Sequence, residues 1–404
     1  MMVGQYGMML IIGWQTYNIA RADGMSVGEA SGQLALIGLL QFIPLFILTP
    51  FSGLAADRLN RRNLARLMIL LQIGCASVLA FVTWNDAVSL PVLLAVAVVL
   101  GIGRAFAGPA YSALAPNLVP PKLLPQAIAL SSIAWQTGVI IGPAFGGYLY
   151  VVNPALPYVF SAGLFILSMI AISFIGQVPR KKVATGHPIA QIRDGLAYVF
   201  QNKMVLSTIT LDLFAVFLAG ATALFPVYAR DILDVGATGL SQLAMAPAIG
   251  AALTATWFSF RPLNSNVGPL MLASVAVFAI ATIIFGLSTS MPLSLAMLVI
   301  VGAADMFSVY IRQTLIQLHT PDEKRGRVGS VSQLTISASN EFGDFFSGSL
   351  AFAIGPVAAV VAGGAGALAT VIAYTRLFPV LRQTKTFDPP DDLLETQSEA
   401  SATK

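Results

Sequence analysis

Six ionisable side chains of this sequence lie within long apolar stretches, where a charge is costly. They are four acids and two arginines: Arg104, Asp212, Asp305, Arg312, Glu341 and Asp344. Ionisable groups in such surroundings usually face an internal cavity or a partner of opposite charge. Burial favours the protonated form of a lone carboxylic acid, whereas a neighbouring arginine favours the ionised form. An acid balanced between these influences can take up and release a proton.

Asp305 is the strongest candidate for such proton exchange. It lies in the middle of the apolar run 293–317, and an offset of 201 residues aligns it with Arg104 in an earlier run. We predict that Asp305 is the proton-coupling acid and that Arg104 is its partner, or an anchor for an anionic ligand. The alternative is a static buried ion pair that only orients two helices.

The other acids allow several interpretations. Glu341 and Asp344 are three residues apart and therefore lie on one face of a helix. Because two unpaired acids would repel each other, either one of them is protonated or Arg312 neutralises them. Arg312 can instead extend its side chain toward the membrane surface. Asp212 lies early in its apolar run, where a helix-start role, a gating role and proton transfer are all compatible with the sequence.

Composition predicts the elements that must position these groups. The chain has 404 residues, of which 56% are hydrophobic and 10% charged, whereas soluble domains carry about 25% charged residues. Its mean hydropathy is +0.80. These values indicate an all-α membrane protein, and the length allows about twelve helices. The basic residues flank the apolar runs, so the net charge of +4 does not indicate binding to nucleic acid.

The apolar runs predict twelve spans and two halves. The spans are 1–20, 34–56, 64–84, 90–113, 126–150, 157–178, 204–229, 239–260, 268–288, 293–317, 328–353 and 357–378. We predict a first six-helix bundle at 1–178, a linker with an amphipathic helix at 179–203, a second bundle at 204–378 and a disordered tail at 379–404. The first run is short and lacks a basic flank, so we expect that an N-terminal piece is missing.

Basic residues also predict orientation. Nearly all of them flank the same ends of the runs, and Arg21 and Arg230 are the exceptions. By the positive-inside rule, the loop after the second run and the C-terminus lie in the cytoplasm, as in a multi-pass protein of the plasma membrane. The sequence has a single cysteine, Cys75, and two isolated histidines. It therefore predicts no intramolecular disulfide, no metal site and no cofactor.

A charged segment between the second and third runs is the most distinctive short stretch. Its key residues are Gly53, Asp57, Arg58, Arg61 and Arg62. Because this many charges cannot lie in hydrocarbon, we predict a tight polar turn between two membrane helices. The cluster either only holds the turn in the cytoplasm or forms a latch between the two halves through Asp57 and Arg61.

A glycine-rich stretch in the fifth run predicts close helix packing. Small residues recur at Gly138, Gly142, Gly146 and Gly147, and Pro143 interrupts the backbone hydrogen bonds of the helix. A bent helix packed closely between two bundles can limit leakage through a closed pathway. Ordinary helix packing is the alternative.

Uncharged polar residues in the runs are candidate ligand contacts. Gln136 beside Trp135 is the preferred pair, because amide and aromatic groups suit a large, partly polar ligand. Gln15, Asn18 and Gln41 are further candidates.

The charged turn and the glycine-rich stretch resemble signatures of the major facilitator superfamily. Three further segments carry this resemblance: Arg104–Ala110, Thr320–Val328, which contains Arg325, Gly326 and Arg327, and Ser339–Asp344. The sequence most resembles the branch that includes the enterobactin exporter and the transmembrane secretion effector proteins. This resemblance implies two pseudo-symmetric six-helix bundles and a central cavity lined by the helices that carry Arg104 and Asp305.

The resemblance also implies a function. It suggests a secondary-active antiporter for efflux, in which proton entry drives the exit of a siderophore or a drug-like amphiphile by alternating access. The implied partners are the lipid bilayer, the small-molecule substrate and protons, and we expect a monomer. An importer of the same fold and a non-transporting sensor or scaffold are the alternatives. The sequence has no nucleotide-binding Gly-x-x-x-x-Gly-Lys-Ser/Thr motif and no convergent catalytic residues in its loops, so we do not expect an enzyme.

Overall fold

The computed structural model of the protein describes residues 1–58, 60–118, 123–176, 188–263 and 265–388. The helices of the first half are α1 (Met2–Ala22), α2 (Val27–Arg58), α3 (Arg61–Trp84), α4 (Leu90–Leu118), α5 (Leu124–Val152) and α6 (Leu156–Ser173). The helices that follow are α7 (Pro188–Gln201), α8 (Lys203–Ala219), α9 (Phe225–Val227), α10 (Gly236–Phe260), α11 (Val267–Leu287), α12 (Met291–Leu318), α13 (Asp322–Ile354), α14 (Pro356–Leu377) and α15 (Pro379–Gln383). A 3₁₀ turn (Thr222–Leu224) precedes α9, and a π-helical turn (Tyr228–Ile232) follows it.

A helix occupies each of the twelve segments predicted from the apolar runs. Within the described residues, eight helical spans are long and apolar enough to cross a membrane. The twelve crossings themselves stay a prediction. α2 begins seven residues before its predicted start, because Ser26 and Glu29 form a reciprocal capping box. The Glu29 carboxylate accepts from the Ser26 N–H at 2.7 Å, and the Ser26 hydroxyl accepts from the Glu29 N–H at 3.2 Å.

The polar turn between α2 and α3 is shorter than the predicted segment from Gly53 to Arg62. α2 continues to Arg58 and α3 begins at Arg61, where the Asn60 side chain accepts from the Arg62 N–H at 3.0 Å. The Arg62 guanidinium donates to the carbonyl of Ile175, just beyond the end of α6, at 2.5 Å. This positive charge therefore interacts with the negative end of the α6 dipole. The side chains of Gly53, Asp57, Arg58 and Arg61, and with them the predicted Asp57–Arg61 latch, lie outside the described residues.

Two glycines that are 201 residues apart make equivalent close contacts in the two halves. A Cβ atom added at Gly101 of α4 would lie 2.6 Å from the Gln41 carbonyl oxygen of α2. Its counterpart, Gly302 of α12, lies against the Pro247 carbonyl oxygen of α10 in the same way. Larger side chains would collide with backbone at both positions, so both helix pairs require glycine for their close approach.

The amphipathic helix predicted in the linker is α7, and it packs mainly on the second half. Val199 is 3% exposed and joins an apolar cluster with residues of α8, α12 and α13. The Tyr198 hydroxyl donates to the His319 carbonyl at 2.7 Å, and Asp194 forms an exposed ion pair with Arg327. α7 also contacts α2. Linker residues 177–187 lie outside the described residues.

The prediction of a disordered tail from residue 379 is wrong for its first ten residues. Pro379–Gln383 form α15, and Leu381 is completely buried. The N–H of Gly268, at the start of α11, donates to the Thr384 carbonyl at 3.0 Å. The apolar Leu381 side chain and these backbone hydrogen bonds hold the segment against α11. Residues 389–404 lie outside the described residues.

Candidate functional site

An ion pair joins the two halves of the protein near the middle of α4 and of α13. Arg104 of α4 lies 2.5 Å from Glu341 of α13, and the Arg104 guanidinium also donates to the Gln41 side-chain oxygen of α2 at 3.3 Å. The side chain of Arg104 is 29% exposed and that of Glu341 is 9% exposed. The predicted pairing of Arg104 with Asp305 is therefore wrong, because α13 brings a different carboxylate to this arginine.

Aromatic side chains surround this ion pair. Tyr6 of α1 interacts with Trp135 of α5 and lies within electrostatic range of Arg104 and Glu341. Trp135 is 48% exposed, so part of its side chain remains uncovered. We name Tyr6, Gln41, Arg104, Trp135 and Glu341 the central cluster. Gln41 and Trp135 were predicted ligand contacts, and the structure places both of them here.

Rings from both halves continue the aromatic surface beside the central cluster. Phe42 of α2 contacts Phe342 of α13 with ring centroids 5.5 Å apart, and Phe342 stacks on Phe217 of α8 at 5.7 Å. Phe46, one turn along α2, is 56% exposed. The site thus combines charge with an apolar aromatic wall that spans the two halves.

Asp344 lies one helical turn from Glu341, as the sequence spacing predicts. Its carboxylate accepts from the Thr222 hydroxyl at 2.9 Å. Gly38 of α2 packs beside it, where an added Cβ atom would lie 3.3 Å from the Phe345 nitrogen and 3.4 Å from the Asp344 Cβ. Asp344 thus lies where α2 of the first half packs against α13.

Arg312 pairs with Asp212 of α8 rather than with Glu341 or Asp344. The side chains of Arg312 and Asp212 are only 3% and 6% exposed. Two of the alternatives left open by the sequence are therefore wrong: Arg312 neither extends toward the membrane surface nor neutralises the α13 acids. Asp212 is the tenth residue of α8, so it does not cap the start of that helix. Both partners belong to the second half.

Asp305 lies apart from the central cluster. It is half-buried on α12, beside Asp212 of α8, and forms no salt bridge within the described part of the chain. Its helix lies in the second half.

The side-chain amide groups of three other predicted ligand contacts form hydrogen bonds within the protein. Gln15 accepts from the buried Tyr158 hydroxyl at 2.7 Å, and the Gln136 amide donates to the Ala248 carbonyl at 3.2 Å. Asn18 accepts from Arg230 at 2.7 Å. Since Gln136 and Asn18 bridge the two halves, the structure assigns them to helix contacts rather than to a free cavity wall.

The glycines of α5 pack closely on two neighbours, as predicted. Gly142 and Gly146 lie against α1, where added Cβ atoms would come 2.7 Å from the Val3 carbonyl oxygen and 2.9 Å from the Gly7 carbonyl oxygen. Gly147 lies against α10 of the other half. The Pro143 carbonyl accepts from the Ser241 hydroxyl of α10 at 2.7 Å. A role of this packing in limiting leakage stays a prediction.

A polar cluster that the sequence analysis did not predict as a unit joins the two halves at one end of the molecule. This is the end where α1 finishes and α2 begins, which we call the α1–α2 end. The Tyr17 hydroxyl donates to Asp231 at 2.5 Å, and Arg21 lies 3.3 Å from the same carboxylate. Arg230 donates to the Asn18 side-chain oxygen at 2.7 Å. We name these five residues the α1 latch. Arg21 and Arg230 stood out as the exceptions to the charge bias, but their convergence depends on the π-helical turn.

Replacing Asp231 by Asn should weaken closure at the α1–α2 end. Hydrogen bonds to charged groups contribute roughly 1.5–3 kcal/mol, so we expect the open population to rise about tenfold or more. Spin labels at Asn85 and Ser290, introduced as cysteines after removal of Cys75, would report longer distances in this variant. Asp194→Asn, which removes a carboxylate elsewhere, is the control. An unchanged distance distribution in Asp231→Asn would contradict a latch.

Comparison with known families gives one match that covers most of the chain. The model of the Major Facilitator Superfamily matches residues 3–343. The multidrug efflux pump Tap of Mycolicibacterium fortuitum is 27% identical over 361 residues, which are 84% of this chain and 83% of that protein. The enterobactin exporter EntS of Shigella boydii serotype 18 is 25% identical over 349 residues, covering 85% of this chain and 82% of that protein.

Solved structures share the fold at low sequence identity. A bacterial homologue of the human lysosomal transporter Spinster, in an inward-facing and unoccupied conformation, gives a TM-score of 0.72 at 17% identity. The alignment covers 95% of this chain and 96% of that one. A D-xylose–proton symporter gives a TM-score of 0.69 at 12% identity, with 93% and 96% coverage.

Proposed function

Because this chain belongs to the Major Facilitator Superfamily and is a multi-pass membrane transporter of small molecules, we propose that it is a proton-coupled exporter. Its two halves rock about the central cluster and expose it alternately to each side of the membrane. The ion pair between Arg104 and Glu341 carries this proposal. The relatives are transporters, so the proposed function includes no enzymatic activity.

The Arg104–Glu341 pair supplies a direct link between proton uptake and rocking. It joins α4 of the first half to α13 of the second, so separating these helices at mid-height breaks it. Breaking the ionised pair leaves two poorly solvated charges, which is costly. A proton on Glu341 removes one of these charges and weakens the attraction to Arg104. Asp344, one turn away, is the second candidate acid. The Asp212–Arg312 pair stays within one half and need not break.

Several contacts between the two halves lie toward one end of the molecule, and this position indicates the side of the membrane to which the central site opens. The α1 latch, the Gly147 contact and the Ser241–Pro143 hydrogen bond all lie toward the α1–α2 end. Toward the opposite end, residues 130–135 of α5 are exposed. We assign that opposite end to the cytoplasm by its basic residues, with the C-terminus on the same side of the inner membrane. The cavity would then face inward, ready to load substrate.

Export of an amphiphile with aromatic groups fits the site best. Trp135 and Phe46 are exposed aromatic residues of this region, which suits both a drug-like amphiphile and a siderophore. The efflux pump and the exporter among the relatives support outward transport.

Transport by the purified protein in liposomes tests the proposal. A proton gradient of the correct sign should drive uphill movement of a test amphiphile, and an ionophore that collapses the gradient should abolish it. In cells under iron limitation, loss of the protein should lower the release of iron chelators if a siderophore is the substrate. Asp194→Asn serves as a control that keeps the central cluster intact. Gradient-independent uptake, or the absence of any solute flux, would refute the proposal.

A further inference from the structure

An apolar groove lies in the second half, away from the central cluster. It has a volume of about 310 Å³, and its lining consists of Thr254 of α10 and four residues each of α11 and α12. α12 packs against both α10 and α11. Val277 of α11 and Ile300 of α12 are 46% and 38% exposed, so the groove opens at the protein surface.

This opening meets the hydrocarbon of the bilayer. α10, α11 and α12 are each long and apolar enough to cross a membrane. The main contacts of α11 are with α12 and α14 of the second half, so α11 lies on the outer side of its bundle. An opening beside such a helix at membrane depth is filled by lipid rather than by water.

The lining matches a hydrocarbon chain rather than a polar ligand. Seven of the nine lining residues are apolar. The Ser274 hydroxyl is satisfied within α11, since it donates to the Met271 carbonyl at 2.8 Å. The volume falls at the lower end of the range of small-molecule sites, roughly 300–1,000 Å³. A phospholipid acyl chain is the ligand of this chemistry that the bilayer supplies.

An aromatic and a basic side chain lie at the end of the groove that we assign to the cytoplasm. Trp257 and Arg261 follow Thr254 at intervals of three and four residues, so they continue the same stripe of α10. The Arg261 guanidinium carbon lies 5.3 Å from the centre of the Trp257 ring, and Trp257 is 59% exposed. Tryptophan and arginine are typical of the level of the lipid headgroups.

A second basic residue lies on the α11 side of this end. The Lys385 carbonyl accepts from the Val267 N–H at 3.3 Å, which places Lys385 beside the first turn of α11. Arg261 and Lys385 are exposed, and neither forms a salt bridge within the described part of the chain. Two such cations match the phosphate of an anionic lipid, which the cytoplasmic leaflet provides.

We propose that this groove binds one anionic phospholipid of the inner leaflet. One acyl chain lies between α10 and α11 against α12, and Arg261 and Lys385 hold the phosphate through charge-assisted hydrogen bonds. The site goes beyond the proposed exporter function, because it belongs to the second half alone and shares no residue with the central cluster.

Photocrosslinking of the purified protein in nanodiscs tests this proposal. The probe is phosphatidylglycerol with a diazirine in its acyl chain, present as a minor component of a phosphatidylethanolamine bilayer. We expect the adducts to concentrate on Val277, Ile300 and Phe307, and unlabelled phosphatidylglycerol to compete with the probe. Adducts spread evenly over the outer faces of all helices, or displacement of the probe by a transported amphiphile but not by phosphatidylglycerol, would overturn the proposal.

Two substitutions on α11 test the groove itself. Ala273→Phe fills the groove from an exposed position, so it should abolish the adducts on α12. Ile280→Phe enlarges an exposed side chain of the same helix outside the groove and should keep them. Labelling of α12 that survives Ala273→Phe would show that the chain lies elsewhere.

Substitutions at the basic residues test the choice of headgroup. Each basic residue near an anionic surface contributes about fivefold in affinity. Arg261→Gln combined with Lys385→Gln should therefore lower the preference for phosphatidylglycerol over phosphatidylethanolamine about thirtyfold. Arg376→Gln, which removes an exposed basic residue from the last turn of α14, is the control. An unchanged headgroup preference in the double variant would refute an anionic lipid as the ligand.

Discussion

A protein carrying Glu341→Gln should still exchange substrate for substrate, yet lose most of the transport that a proton gradient drives. Glutamine keeps the size of the side chain but carries no charge and takes up no proton. Arg104 then keeps its hydrogen bond to Gln41 and loses its ion pair between the halves. Because the variant has neither the proton acceptor nor the ion pair that proton uptake would break, we expect gradient-driven accumulation to fall close to the level of protein-free liposomes.

Liposome assays separate the two activities. Counterflow of labelled substrate without a gradient reports exchange, and accumulation under an imposed gradient reports coupling. Asp305→Asn is the matched comparison, since it removes an intramembrane carboxylate that does not pair with Arg104. If Asp305→Asn uncouples transport and Glu341→Gln does not, the coupling acid is Asp305, as the sequence alone predicted.

Arg104 pairs with Glu341 instead of the predicted Asp305, and this difference shows which part of the site could be predicted. The apolar context of Arg104, Asp305 and Glu341 marked all three as groups that need a partner. Sequence offset then suggested pairing Arg104 with Asp305. Internal symmetry, however, relates equivalent positions of the two halves without bringing them into contact. The true partner comes from α13, which packs on α2 and passes beside α4.

Helix positions were more predictable than polar contacts, for a physical reason. A membrane requires long apolar helices with satisfied backbones, so their approximate positions can be read from composition and length. Close packing at Gly142 and Gly147 was also predictable, because small residues at helical spacing permit it. The α1 latch depends on the directions in which the side chains of a π-helical turn point. The residue pattern does not determine these directions. The Ser26–Glu29 capping box, which the sequence analysis did not identify, explains the early start of α2.

Arg312→Gln should be the most destabilising change in the second half. It leaves the ionised Asp212 without its partner at a side-chain exposure of 6%. Breaking a buried pair from one side costs roughly 3–5 kcal/mol. Asp212→Asn should be destabilising for the converse reason, because it leaves the Arg312 cation unpaired. Heating the purified protein and following the monodisperse fraction by size-exclusion chromatography would measure both effects.

The double variant distinguishes a charge effect from a packing effect. Asp212→Asn combined with Arg312→Gln removes both charges and keeps the approximate size of each side chain, so it should regain most of the stability that either single change loses. Removing the exposed Asp194–Arg327 pair, whose side chains are 41% and 44% exposed, should cost less than about 1 kcal/mol. A double variant no more stable than the single ones would show that the shapes of Asp212 and Arg312, rather than their charges, hold α8 against α12.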